Sequence, residues 1–192
     1  MKEPRCHAGI VEIAVAKLLN YRQYTIVPNV SWGLGLSHEC DLLALDDQDR
    51  FTEVEIKVSL SDLKADFKKT HKHFSKFISR LVYALPARLY AKHADLIPKE
   101  FGVIVIEFTP AIYYHGVRVG NPQIDSTGAV IGNFKAKWER RVKHYKHAEK
   151  PSPATIRKFM SLGCMRIWDL KQHCARSEQR ITDAKRKTGV MA

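Results

Sequence analysis

Asp41, Glu55 and Lys57 are the residues whose types and spacing could do chemistry together in this 192-residue chain. Asp41 falls in an extended run over residues 38–45, and Glu55 and Lys57 fall in a second run over residues 51–58. Side chains alternate along a strand, so Glu55-Ile56-Lys57 sets both charges on one face. The polar cluster over residues 46–50 reads as a solvated hairpin turn that folds Glu55 back toward Asp41. Paired carboxylates in that geometry bind a hard cation such as Mg²⁺, or Mn²⁺ in its place, which takes oxygen ligands and keeps several waters. Such a cation lowers the pKa of a bound water and neutralises charge building on a phosphate. A lysine two residues on can hold the attacking water or act as a point charge on the phosphate. Glu12 is the single acid on an otherwise apolar helix, and would be a further ligand, or an orienter of Lys57, if that helix faces the hairpin. The same charges also fit a solvent-facing strand with local ion pairs, and Glu53 adds a third acid that could compete for Lys57.

The elements that must position these residues follow from hydrophobic periodicity. Residues 5–21 read as a helix with Ile10, Val11, Ala14, Val15 and Leu18 on one face. Residues 24–30 are β-branched and aromatic, hence a strand. The period turns helical from Leu60 to Arg80, with Leu60, Leu63, Phe67, Phe74 and Ile78 as the buried stripe. Lys64, Lys68, Lys72 and Lys76 recur at i+4 on the opposite face, as a phosphate-tracking row or a solubilising one. Strands over residues 81–85 and 101–108 flank a short helix over 87–96. The order helix, three strands, helix, strand, helix, strand gives an α/β fold with a mixed sheet. After the glycine-bearing stretch 116–132, Phe134, Trp138, Val142 and Tyr145 recur at helical spacing. Ser152-Pro153 predicts a helix start and Gly163 a helix end, with a third helix from Met165 past Arg176 and room for a helix-turn-helix at Gly163.

The chain has a formal net charge of +12, of which residues 134–192 hold +11 and residues 1–133 hold +1. This divides it into a nearly neutral core over 1–133 and a basic helical extension over 134–192, able to pack on the core as one domain. Charge on this scale bears on partners, pointing to polyanions. In the extension Arg140, Arg141 and Lys143 are candidate nucleic-acid contacts beside Lys64, Lys68 and Lys72 of the core. DNA is the expected partner and RNA fits the charge equally well. No run is long and apolar enough for a membrane span and no signal-peptide core follows Met1, so a cytoplasmic, nucleoid-associated protein is expected. The four cysteines form no CxxC pair and no zinc site is expected. The acidic cluster at Asp46 fails the Ca²⁺-loop pattern, and Ser31-Trp32-Gly33-Leu34-Gly35 lacks the third glycine of a dinucleotide loop. His38, His71, His73, His93 and His115 lack the spacing of a catalytic dyad.

Glu12, HECDLLALD with Asp41, and EVEIKVSLSDLKADFKK with Glu55 and Lys57 together resemble the PD-(D/E)xK nuclease superfamily. The run EIKVSLSDLKADFKK, followed by SRLVYALP and ADLIPKEFGVIVIE, is similar more narrowly to MmcB-type DNA-repair proteins over residues 5–119. Lys57, Ser59, Asp62, Asp66 and Lys68 match the series that follows the family's E-V-K motif. Cys40 stands where the superfamily name has proline, and Val58 and Lys69 depart from the narrower pattern. The resemblance implies a restriction-endonuclease-like αβββαβ core and a metal-dependent DNA phosphodiesterase acting in repair, recombination or restriction. It implies that Asp41, Glu55 and the Ile56 carbonyl ligate Mg²⁺, that Lys57 positions the water and that Glu12 supports the metal. Homodimers are frequent in the superfamily. The alternative is a nucleic-acid-binding module on a nuclease-like scaffold without activity.

Overall fold

β-Branched and apolar residues recurring with period two draw six segments of this chain into one sheet. The structure, a computed structural model, describes residues 5–31, 34–36, 38–68, 75–109, 112–114, 117–120, 123–124, 130–131 and 133–187. Chain order runs α1 (Ala8–Leu18), β1 (Thr25–Val30), β2 (Cys40–Leu45), β3 (Phe51–Ile56), α2 (Leu60–Asp66) and β4 (Ile78–Pro86). It continues through α3 (Ala87–His93), a 3₁₀ turn (Ala94–Leu96), β5 (Gly102–Thr109), β6 (Ile112–Tyr114) and β7 (Val117–Gly120). It ends with β8 (Gln123–Ile124), β9 (Val130–Ile131), β10 (Asn133–Arg140) and α4 (Pro153–Lys187). The sheet order is β1-β2-β3-β4-β5-β10. β1, β2 and β3 form an antiparallel meander, β3, β4 and β5 are parallel, and β10 closes the edge antiparallel to β5. The fold is thus α/β with a mixed six-stranded sheet; β6 with β7, and β8 with β9, make separate two-stranded ladders.

Both faces of the sheet are covered. Val11, Ala14 and Val15 of α1 pack on Leu42, Val54, Ile56, Val82 and Ile104. On the other face Phe159 of α4 is fully buried with its ring edge-on to Phe51, centroids 5.0 Å apart. Burying such a side chain contributes about 1.5–3 kcal/mol. Beside it, Leu63 of α2 and Ile97 pack on Leu81, Tyr83, Leu85 and Val103. Covering on two faces explains why all six residues of β3 are buried although their sequence alternates.

Three expectations are corrected here. The helix expected over residues 60–80 is α2 alone, ending at Asp66, and the chain is a strand from Ile78; residues 69–74, with Lys72 and Phe74, lie outside the described residues. The misreading has a local cause. β4 carries an irregularity where Phe51 pairs with Ile78 and Thr52 with Arg80. Ser79 is the extra residue, its Oγ donating to the Phe51 carbonyl at 2.6 Å. An inserted residue breaks period two, so Ile78 and Leu81 share a face three residues apart and imitate a helix. The second correction is the start of the tail. Residues 133–140 form strand β10, with Phe134, Ala136 and Trp138 packed on the α1 side and Lys135, Lys137 and Glu139 exposed. An i, i+4 spacing fits a strand as well as a helix, because four is twice two. The boundary drawn at 133/134 falls at the first residues of this core strand, so the basic extension is not wholly helical.

The third correction is Gly163, which does not end a helix. α4 runs unbroken across it, so no helix-turn-helix forms there. A Cβ on Gly163 would stand 3.2 Å from Val27 Cγ2, so the glycine serves the close approach of α4 to β1. The helix start at Ser152-Pro153 is as the sequence predicts, with Ser152 Oγ accepting from the Thr155 amide at 3.2 Å. The 46–50 turn is also as expected. Asp46 Oδ1 accepts from the Gln48 and Arg50 amides at 3.0 and 2.9 Å, and Asp49 takes a left-handed φ of 56°.

Candidate active site

The hairpin β2–β3 and the start of α2 together build an acidic cleft. β3 ends at Ile56, and α2 begins after Ser59, whose Oγ caps it by accepting from the Asp62 amide at 3.2 Å. Lys57 is held in the gap by its amide, which donates to the Ala84 carbonyl at 2.9 Å. Asp41 is tied across the hairpin, its Oδ2 accepting from the Ile56 amide at 2.7 Å. The result is a cleft of about 370 Å³ lined by Glu12, Asp41, Glu55, Ile56, Lys57 and Asp62, with Ala8, Asn29 and Glu39 at its margin. Every residue expected at the metal site therefore reaches the same cleft. Glu12 arrives from α1.

The charges within it are sharply graded. Glu55 and Lys57 are almost fully enclosed, at 1% and 3% exposure, so the strand does not face solvent. Lys57 Nζ lies 2.7 Å from Glu55 Oε2 and 3.0 Å from Asp66 Oδ1. Tyr83 donates its hydroxyl to Asp66 Oδ2 at 2.7 Å. Burial alone would lower the Lys57 pKa, but Glu55 and Asp66 outweigh it and raise the pKa above the usual lysine value. Burial raises Glu55 to about 7, with Asp41 and Glu53 adding to the rise and Lys57 opposing it. Glu12 is raised too, by burial and then by the charge of Asp41. Burial first, and the neighbouring carboxylates second, thus favour the protonated forms, and a divalent cation in the cleft would favour the charged ones. The donor set is all oxygen, which suits a hard ion such as Mg²⁺.

Glu53 does not compete for Lys57. It is fully buried and lies 2.7 Å from His38 Nε2, with Cys40 Sγ at 3.7 Å from the same nitrogen. The ligand atoms of His38, Cys40 and Glu53 lie within 4.8 Å of one another. Burial, then Glu53, Glu55 and Asp41, push the Cys40 thiol far above its usual range, so it stays protonated. Sequence spacing hid this cluster because Glu53 comes from the neighbouring strand. Asp66 was visible only as a matching letter; its hold on Lys57 needed the return of α2 over β3. Glu39 at the cleft margin carried no signal beyond its neighbourhood to Asp41.

The candidate nucleic-acid contacts do not come together. Lys64 and Lys68 are exposed at α2, near the cleft. Arg140 pairs with Val103 at the start of β5, whereas Ile56 ends β3, which runs parallel to β5 through β4. Arg140, Arg141 and Lys143 thus lie at the opposite end of the sheet. Arg140 is engaged there, donating to the Phe101 and Pro98 carbonyls at 2.8 and 2.7 Å. Arg141 stacks over Trp138, 5.3 Å from the ring centre. The segment behind them is bound to β4, the Tyr145 amide donating to Ser79 O at 2.6 Å. Lys76 lies in a turn and pairs with Glu149 at 2.8 Å. No helix among the described residues is long and apolar enough to cross a membrane.

Comparison with known proteins gives one family match. A model described as "MmcB-like: DNA repair protein MmcB-like" matches residues 5–173. No curated protein matches. Among solved structures, a protein of unknown function from Silicibacter pomeroyi superposes with a TM-score of 0.52, covering 96% of each chain at 16% identity. That likeness concerns the fold alone.

Proposed function

This chain belongs to the MmcB-like family of DNA repair proteins, and from that premise we propose that it is a divalent-cation-dependent DNA phosphodiesterase. The reading places it in the PD-(D/E)xK superfamily with a restriction-endonuclease-like core. One observation carries it: Glu12, Asp41, Glu55 and Lys57 line a single open cleft although they come from α1, β2 and the end of β3. Asp41, Glu55 and the Ile56 carbonyl would hold Mg²⁺ or Mn²⁺, with Glu12 in support. Held by these residues, such an ion would lower the pKa of a bound water and neutralise charge on the scissile phosphate. Lys57 presents a fixed ammonium at the inner wall, orienting the attacking water or a phosphate oxygen. Asp66, itself oriented by Tyr83, sets where that ammonium sits. Lys64 and Lys68 supply backbone contacts beside the cleft. The protein works at cytoplasmic, nucleoid DNA in this reading.

The second reading is a DNA-binding module without activity. The burial of Lys57 between two carboxylates favours it, since such a cluster can be purely structural. The deciding experiment is cleavage of linear, plasmid and branched DNA with Mg²⁺ or Mn²⁺, wild type beside Asp41→Ala. Divalent-dependent cutting that Asp41→Ala lowers at least about 100-fold supports the enzyme. Binding without any cutting by the wild type refutes it and supports the module. Truncating residues 134–192 is not a clean test of DNA affinity, because it removes β10 from the sheet.

A further inference from the structure

The first part of α4 is a core helix. Phe159 is buried in the core, and Ile156 and Leu162 pack beside it. Arg166 then donates to the Asn29 carbonyl at 2.8 Å. From Cys164 to Ala184 every residue except Ser177 is exposed. This length is not polar all round. Met160, Ile167, Cys174 and Ile181 recur every seven residues, and Gly163, Leu170 and Ser177 recur three places after them. Ile167, Leu170 and Ile181 are 57%, 63% and 57% exposed. A seven-residue repeat offset by three is the seam of a coiled coil. The seam continues the edge of the helix that packs Gly163 on Val27, so one stripe is covered by β1 and then runs on past it.

We propose that α4 joins two copies of this chain as an antiparallel coiled coil. The charges along the seam choose the occupant and its direction. Residues 164–184 hold four Arg and Lys against three Asp and Glu, so the seam can face its own copy with little net repulsion; the basic run Lys185-Arg186-Lys187 follows it. Lys171 and Glu178 both occupy the position next after the offset row. Antiparallel pairing about the point between Ala175 and Arg176 brings Lys171 of each copy diagonally beside Glu178 of the other along the same edge, two residues off level, twice. The same register stacks Leu170 on Ile181 and Cys174 on Ser177. A parallel pair would oppose Arg166 to Lys171 and Arg180 to Lys185, each twice, whereas the antiparallel pair opposes like charges only at Arg166 and Lys187. The polar bonds of the helix, Gln179 to Asp183 at 3.0 Å and Arg176 to Gln172 at 3.4 Å, lie on the outer face and leave the seam clear.

Sedimentation equilibrium of the full chain tests this. The wild type is expected to weigh as a dimer, and Ile167→Glu/Leu170→Glu as a folded monomer. Met165→Glu replaces a residue 55% exposed but on the outer face, and should leave the dimer intact. With Cys164→Ser as background, adding Ser177→Cys should give an interchain disulfide with Cys174 on oxidation, a readout that does not depend on the charged variant folding. A wild type monomeric up to roughly 100 µM overturns the proposal, whether or not α4 then binds DNA. So does a Met165→Glu variant that dissociates, or efficient cross-linking through Cys174 alone, which requires the parallel arrangement.

Discussion

Replacing Lys57 by methionine keeps an unbranched side chain, one atom shorter, and removes the ammonium with its charge and its hydrogen bonds. The ammonium lies 2.7 Å from Glu55 and 3.0 Å from Asp66, in a place where all three residues are at most 3% exposed. Taking one partner from a buried ion pair costs about 3–5 kcal/mol, because the remaining carboxylates are left in a medium that solvates them poorly. For a domain of this size that lowers the unfolding midpoint by about 6–20 °C. The loss must also depend on pH. Glu55 has a folded pKa of about 7, above its ordinary 4.5. A carboxyl raised on folding contributes stability that is complete below 4.5 and is lost as pH rises through the folded value. Lys57 opposes that rise, so without it the folded pKa climbs further. The deficit of Lys57→Met is therefore largest near pH 8 and shrinks toward pH 5. Thermal unfolding by circular dichroism at both pH values, in metal-free buffer, measures it. A loss below about 1 kcal/mol at pH 8, or the same loss at both pH values, would refute the reasoning. Adding Asp66→Asn should recover part of the stability, since the two sites share one network.

Other outcomes follow from the same geometry. Ligation requires the deprotonated carboxylate, so Mg²⁺ affinity measured by calorimetry should fall roughly tenfold per pH unit below about 7, with proton release on binding. Lys64→Ala/Lys68→Ala should flatten the slope of log affinity against log salt by about 2, whereas Arg141→Ala/Lys143→Ala at the far end should leave it unchanged. Arg140→Ala removes a guanidinium bound to the Phe101 and Pro98 carbonyls; it should cost about 2–4 kcal/mol in denaturant unfolding without altering DNA affinity. Phe159→Ala opens a cavity under α4 and should cost about 3–5 kcal/mol by the same measurement.

What the sequence determined by itself was the geometry of the hairpin. Alternation along residues 51–57, a turn at Asp46 and two short strands are local facts, and they suffice to bring Asp41 to the Ile56 amide and Glu55 beside Lys57. Glu12 was legible for a similar reason, as one acid on an apolar helix that had to pack somewhere on that sheet. The cap at Ser152 and the turn at Asp46 were also readable, since each is closed by neighbours in the chain. Strand order is not local. Tertiary pairing alone decided that residues 133–140 complete the sheet, because a spacing of four satisfies both helix and strand. It decided that Glu53 turns to His38 and Asp66 to Lys57, since each partner arrives from another element. It also separated the basic residues. Lys64 lies on the helix that leaves the cleft and Arg141 follows the strand that ends at the opposite end of the sheet, and net charge, which carries no coordinates, could not tell them apart.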